Sequence, residues 1–259
     1  MSRYFMELSY KGTHYKGFQV QENAHTVQGE IEQALKILQR EEIRLTGSSR
    51  TDSGVHALQN YFHFDYEGVL IPTLVYKLNA ILSRDIAIKR VFQVGAEAHS
   101  RFDAIYREYR YYLARQRDPF LQDRSWYYPY TLDRVLLDQA AAVLMEYQDF
   151  TSFSKRNTQA KTAMCRLEVS QWEEEGDCLV YQVRANRFLR GMVRALVATM
   201  LLVARGKMSI AEFRQVIEAR DCTRASFAAP GLGLYLVEVG FPQGYFPDQP
   251  IRKNEPGSL

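Results

Sequence analysis

Along the chain the spacing of apolar residues changes period several times, and each change marks an element. RYFMELSY at 3–10 alternates polar and apolar positions, the period of a strand. From Thr26, a residue suited to cap a helix, Val27, Ile31, Leu35 and Leu38 recur on one helical face. IRLTG at 43–47 reads as a short strand. LQNYFHFDY at 58–66 is a longer one, with Phe62, Phe64 and Tyr66 on one face and Tyr61, His63 and Asp65 on the other. Pro72 suits the first turn of a helix running to about Leu82, and IAIKRVFQV at 86–94 closes the set. Strand, helix, strand, strand, helix, strand is the split βαβ order of ferredoxin-like domains.

The second half returns to the same alternation. AIYREYRYYLAR at 104–115 reads as a long strand, and LDRVLLDQAAAVLMEY at 132–147 as a helix. CRLEVSQWEE (165–174) and CLVYQVRA (178–185) form a hairpin around Glu175, Gly176 and Asp177. FLRGMVRALVATMLLVA at 188–204 is a strongly patterned helix. Another begins at Ser209 with Glu212 three residues on, the spacing of a capping box. GLYLVEVGF at 233–241 supplies the last strand. The expected fold is α+β, in two related ferredoxin-like (RRM-like) halves at 1–104 and 105–240, with no sequence repetition between them. Residues 241–259 hold four of the eight prolines and no strand or helix signal, so an extended or partly disordered C-terminal extension is expected.

Composition adds bounds. The chain has 259 residues, 46% hydrophobic and 24% charged, enough for one large domain or two modest ones. A net charge of +3 gives no global field, so a case for nucleic acid rests on local clustering. Cys165, Cys178 and Cys222 are odd in number and include no CxxC pair, which argues against a disulfide framework or a zinc site and suits a reducing compartment. The N-terminus lacks the apolar run of a signal peptide, and the longest apolar run, ALVATMLLVA at 195–204, is far below the roughly 20 residues of a membrane span. A soluble, cytoplasmic protein is expected.

Charge is clustered in three places. From Arg184 to Lys207 there are six Lys/Arg and no acid, and on one continuous helix Arg190 and Arg194 share a face with Arg205 near the same line. RFDAIYREYRYYLARQR at 101–117 has five arginines and four tyrosines against two acids, and SKRNTQAKT at 154–162 has three basic residues. Any one of these fits a solvated face. Three in a nearly neutral chain point to a phosphate-tracking groove, with tyrosines as stacking surfaces for unpaired bases.

Residues 48–57, SSRTDSGVHA, are the candidate for chemistry. Asp52, Ser53 and Gly54 are turn formers, and a structural turn explains them. The connection is longer than a hairpin loop needs, and Arg50 would favour the anionic form of a neighbouring carboxylate, as a catalytic site requires. These residues alone leave both readings open. His56 and His63 lack the spacing of metal ligands, and no glycine-rich phosphate loop or dinucleotide fingerprint occurs, so neither metal nor cofactor is expected.

RTDSGVHA closely resembles the RTDAGVHA signature of the tRNA pseudouridine synthase A family. YKGTHYKGFQVQ (10–21) is similar to that family's opening YDGxxYxGWQxQ, and HSRFDAIYREYRYYL (99–113), DFTSFSK (149–155), FLRGMVRALV (188–197) and GLYLVEV (233–239) match later blocks in order. The resemblance implies two fused halves sharing an extended, mostly antiparallel sheet with a central catalytic cleft. It implies a homodimer and a cofactor-free isomerisation of uridine to pseudouridine in the anticodon stem-loop of tRNA, on its 3′ side. Carried over by position, Asp52 is the nucleophile, attacking the uracil ring or ribose C1′. Arg50 orients it and fills the space left by the flipped base, Tyr109 stacks on the uracil and acts in proton transfer at C5, and Arg194 pairs with the aspartate. The RNA-binding candidates are Gln19, Gln21, His56, Arg107, Arg110, Lys155, Arg156, Arg187, Arg190, Arg205 and Lys207. Lys11, Phe18, Ser49 and the Arg190-Gly191 pair depart from the family pattern, which bears on substrate preference. Two rival readings are a non-catalytic RNA-binding protein, although no RNP1 pattern lies on an expected strand, and a metal-dependent nuclease or phosphotransferase using Asp52 with Asp65.

Overall fold

The computed structural model describes residues 1–156 and 162–247, in two units: Met1–Ile105 together with the segment from Leu236, and Tyr106–Tyr235. In the first, β1 (Ser2–Tyr10), α1 (Val27–Gln39), β2 (Thr46–Gly47), β3 (His56–Tyr66), α2 (Leu74–Ile81) and β4 (Ile86–Val94) follow the expected order. β1 lies between β3 and β4 and is antiparallel to both, with Met6 opposite Phe62 and Val91; β2 pairs with β3. Thr26 caps α1 by accepting the Gly29 N–H at 3.2 Å, and Ile31 and Leu35 are buried on its apolar stripe.

Every residue of β3 from Asn60 to Phe64 is buried, so both faces of the strand are covered. Phe62 stacks on Phe18 at 4.7 Å on one face. On the other, Phe241, Tyr245 and Phe246 lie against Phe5, Tyr61 and Phe92, with centroids 4.9 to 5.9 Å apart. Residues 241–247 carry no helix or strand but supply this aromatic cover; residues 157–161 and 248–259 lie outside the described chain.

The second unit contains β5 (Tyr106–Ala114), β6 (Trp126–Tyr127), α3 (Arg134–Leu144), β7 (Leu167–Glu175), β8 (Cys178–Ala185), α4 (Met192–Ala204) and α5 (Ile210–Glu218). β8 lies between β5 and β7 and is antiparallel to both, whereas β6 runs parallel to β5. Gly176, at φ +58°, and Asp177 make the two-residue hairpin turn. The capping box expected at Ser209 and Glu212 is formed. β9 (Leu234–Gly240) begins in this unit and ends in the first, next to β3. The α+β class is therefore what the strands and helices show.

Some elements differ from their reading: β6 is not among the expected strands, and the strand read at 43–47 forms only over Thr46–Gly47. α4 starts at Met192, four residues after the apolar pattern begins, because Gly191 takes φ +75°. Eleven of its 13 residues are buried, so it is an enclosed helix. Arg190 precedes it and Arg205 follows it, and the proposed row of arginines along one helix face does not exist.

Candidate active site

In the first unit the loop from Ser48 to Val55 is held at nearly every residue around Asp52. Asn60 on β3 has no solvent exposure, and its amide uses donors and acceptor alike. Its Oδ1 accepts from Ser48 Oγ (3.1 Å) and the Tyr61 N–H (2.9 Å), and its Nδ2 donates to Ser49 O (3.0 Å) and Tyr10 Oη (3.3 Å). Tyr10 Oη is in turn 2.8 Å from Thr51 Oγ1. Beyond the aspartate, the Val55 N–H closes a turn onto Asp52 O (3.2 Å), with Gly54 at φ +76°. Tyr15 O braces that turn by accepting from the Gly54 N–H (3.3 Å) and Ser53 Oγ (3.2 Å).

A second layer holds Tyr15. Its hydroxyl donates to Glu30 Oε2 (2.9 Å) in the first turn of α1, Glu30 Oε1 accepts the Ser83 N–H (2.8 Å), and His25 Nε2 is 2.9 Å from Glu30 Oε2. Burial pushes the Tyr15 hydroxyl well above its usual range, so it remains a donor. Gly12 passes so close that a Cβ there would stand 2.0 Å from Val55 O. Asn60, Tyr10 and Glu30 were not among the sequence candidates. An asparagine inside the aromatic run of 58–66 was the available signal, since a buried amide needs partners.

The loop corrects two expectations. Arg50 is exposed, and among the described residues its guanidinium makes no ion pair with Asp52, which is half-buried. The turn reverses direction after Thr51, so residues two apart need not face each other. His56 is 2% exposed, and its Nδ1 accepts the Gly12 N–H at 3.1 Å. That contact makes it a brace for the loop instead of an RNA contact. Gln19 and Gln21 are exposed, and Gln21 Nε2 donates to Lys16 O at 3.0 Å. The departures fit locally: Phe18 fills the space over Gly47, Ser49 is buried with no positive φ, and the Lys11 N–H donates to Asp85 O at 2.8 Å.

In the second unit Tyr109 sits in the middle of β5 opposite Val183, 8% exposed, with Phe188 edge-on at 5.0 Å. Arg194, in the first turn of α4, donates from Nε to Ala229 O at 2.6 Å. Arg187 is half-buried; Arg156 and Arg190 are exposed. Lys155 lays its methylenes over Gly191, where a Cβ would come within 3.1 Å, and its N–H donates to Arg190 O at 3.0 Å. A glycine at 191 thus answers both the positive φ and this packing. Residues 157–161 of the 154–162 basic loop lie outside the described residues.

Two of the β5 arginines are not open phosphate contacts. Arg110 bridges to Glu175 at 3.0 Å and lies within 3.8 Å of Glu108 and Glu173. Arg107 is 8% exposed and donates to Asn186 O at 3.2 Å. Glu108, itself 3% exposed, also takes Arg184 at 2.6 Å. Cross-strand glutamates neutralise this basic stretch, which a reading along the chain cannot register. Arg205 and Lys207 lie past the end of α4, well away from Arg190.

Among the described residues no group of three or more His, Cys, Asp or Glu could hold a metal ion, and no helix is long and apolar enough to cross a membrane. A family model described as tRNA pseudouridine synthase matches residues 8–103 and 140–242. The tRNA pseudouridine synthase A of Parabacteroides distasonis is 45% identical over 249 residues, covering 95% of this chain and 99% of the relative. That of Bacteroides thetaiotaomicron is 44% identical, covering 96% of this chain and 94% of the relative. The namesake from Staphylococcus aureus is 35% identical, covering 92% and 90%.

Proposed function

We propose that this chain, which belongs to the tRNA pseudouridine synthase family, uses Asp52 as the nucleophile that turns a tRNA uridine into its C-linked isomer. The enzyme is an isomerase. The observation supporting Asp52 is its place in the loop: the residues on either side are fixed by Asn60, Tyr10 and Tyr15, so the carboxylate is presented by a rigid support.

In this reading the carboxylate bonds to the uracil ring or to ribose C1′, and the bond from C1′ to N1 breaks. The base turns, C5 bonds to C1′, the bond to the carboxylate breaks and returns Asp52 as an anion, C5 loses its proton and N1 gains one. Every atom of the uridine is kept, so no oxidant, reductant or co-substrate is required. A covalent step divides one bond exchange into two easier ones. The target must first leave its helical stack, at a cost of roughly a few kcal/mol. Arg50, exposed and unengaged among the described residues, suits the role of filling the vacated space. Tyr109 is assigned the face of the uracil and Arg194 the balancing positive charge. The targets are uridines on the 3′ side of the anticodon stem-loop. The protein works as a homodimer in the cytoplasm, where its free cysteines suit a reducing compartment.

Asp52→Asn is expected to abolish pseudouridine formation in unmodified tRNA, chelator present, with tRNA affinity within about twofold of wild type. Turnover by that variant would remove Asp52 from the chemistry, and loss of wild-type activity to the chelator would favour a metal-dependent reaction. Tyr109→Phe should bind tRNA and react slowly.

A further inference from the structure

The segment WYYPY at 126–130 turns one tyrosine inward and two outward. Tyr128 is 5% exposed, whereas Tyr127 and Tyr130 are 41% and 48% exposed. Each outward ring carries an arginine: the Arg117 guanidinium is 5.7 Å from the Tyr127 centroid, and that of Arg205 is 3.7 Å from Tyr130. The Tyr128 N–H donates to Ala114 O (2.9 Å) and the Asp133 N–H to Ala204 O (2.8 Å), so the segment ties the C-terminal end of β5 to that of α4. Past α4, Gly206 at φ +67° turns the chain and brings exposed Lys207 after Arg205.

This patch differs from three other arginines of its unit. Arg110, Arg134 and Arg184 are joined to carboxylates, at 3.0, 2.8 and 2.6 Å. Among the described residues the side chains of Arg117, Arg205 and Lys207 have no ion pair or hydrogen bond. Nearby carboxylates are engaged elsewhere: Asp118 accepts the Phe120 N–H (2.7 Å), Asp133 caps α3 through the Leu136 N–H (3.0 Å), and Asp123 lies 4.0 Å from Arg124. An arginine lying over a tyrosine keeps its N–H edges available to phosphate oxygens, and the outward ring remains a stacking surface. Unneutralised cations beside polar aromatic rings suit single-stranded RNA better than an apolar protein partner.

We infer that Tyr127 and Tyr130, with Arg117, Arg205 and Lys207, form an additional RNA-contact site that stacks an unpaired base of the tRNA and holds its flanking phosphates. Arg205 is eleven residues beyond Arg194, about 16 Å along a helix axis, and Ala114 is five beyond Tyr109, about 17 Å along a strand. The patch therefore occupies the end of its unit away from Tyr109 and Arg194. The inference rests on the tRNA-modifying reading above.

The test is tRNA binding and steady-state kinetics with a full-length unmodified transcript. Tyr127→Ala combined with Tyr130→Ala should raise Kd and KM about tenfold or more, with kcat unchanged and with the Tyr→Phe pair restoring affinity. Arg205→Ala should reduce the slope of log affinity against log salt by about one. A double alanine variant that binds tRNA within twofold of wild type while the wild type remains active would overturn this inference alone. Unchanged affinity with a loss of self-association would overturn it in favour of a protein contact. Wild-type protein that neither binds nor modifies tRNA would overturn the inference and the functional reading together.

Discussion

Asn60 is the residue on which the most loop geometry converges. It satisfies Ser48, Ser49 and Tyr10 at once and is itself fully buried. Asn60→Ala leaves Ser49 O and the Tyr10 hydroxyl short of a partner inside the protein, a loss of about 1–3 kcal/mol. Urea denaturation should show that loss, and pseudouridine formation should fall further than tRNA affinity because Asp52 loses its support. Full activity with unchanged stability would remove Asn60 from this role. At this scale the RTD motif was legible because its residue types and order are unusual. The orientation of Arg50 was not, since sequence spacing in a loop does not say which way a side chain leaves the backbone. Asn60 was hidden because its partners Tyr10, Ser48 and Ser49 are distant in the chain.

Elements position these residues through close approaches as well as hydrogen bonds. Gly12 belongs to a single turn, Gly12–His14, that touches the Asp52 loop through backbone, and a Cβ at 12 meets Val55 O at 2.0 Å. Gly12→Ala must therefore move the 52–55 turn or the turn that carries position 12. Activity is expected to fall by at least tenfold while far-UV circular dichroism stays native; wild-type kcat would show that the loop tolerates the shift. Periodicity made the strands and helices legible, β8 to the residue, because alternation and capping are local properties. It misjudged the start of α4, where Leu189 and Phe188 continue the apolar pattern but Gly191 breaks the helix. It also overstated the free charge on β5, because the register that sets Glu108 beside Arg184, and Arg110 near Glu175, is a property of the folded sheet.

For the molecule as a whole, acid resistance should be limited by a neutral histidine inside the first unit. His63 on β3 is 6% exposed, and burial, then His99 and Arg3, lower its pKa from 6.5 to about 4. Its Nδ1 accepts the Ser100 N–H at 3.2 Å, and Ser100 Oγ donates to Thr46 O at 2.9 Å, so a proton there would break a link between β2, β3 and the turn at 99–100. Prolines at 241–259 suggested a loose extension, but Tyr245 donates to Asp103 Oδ2 at 2.6 Å within the same turn region, so part of that segment shares the consequence. The sign follows from proton counting. Between pH 6.5 and about 4 the unfolded chain binds the proton that the native state refuses, so stability rises with pH across this window. The His63 contribution is fully present above 6.5 and lost as pH falls toward the native value. Asp65 and Asp103, held below their usual range by Arg3 and by the Tyr245 hydroxyl respectively, add their own loss at still lower pH. Urea midpoints measured from pH 7.5 down to 4.5 should decline, and His63→Gln should flatten that decline while lowering stability at pH 7.5. A wild-type midpoint constant across the window would mean that His63 protonates without disturbing the fold.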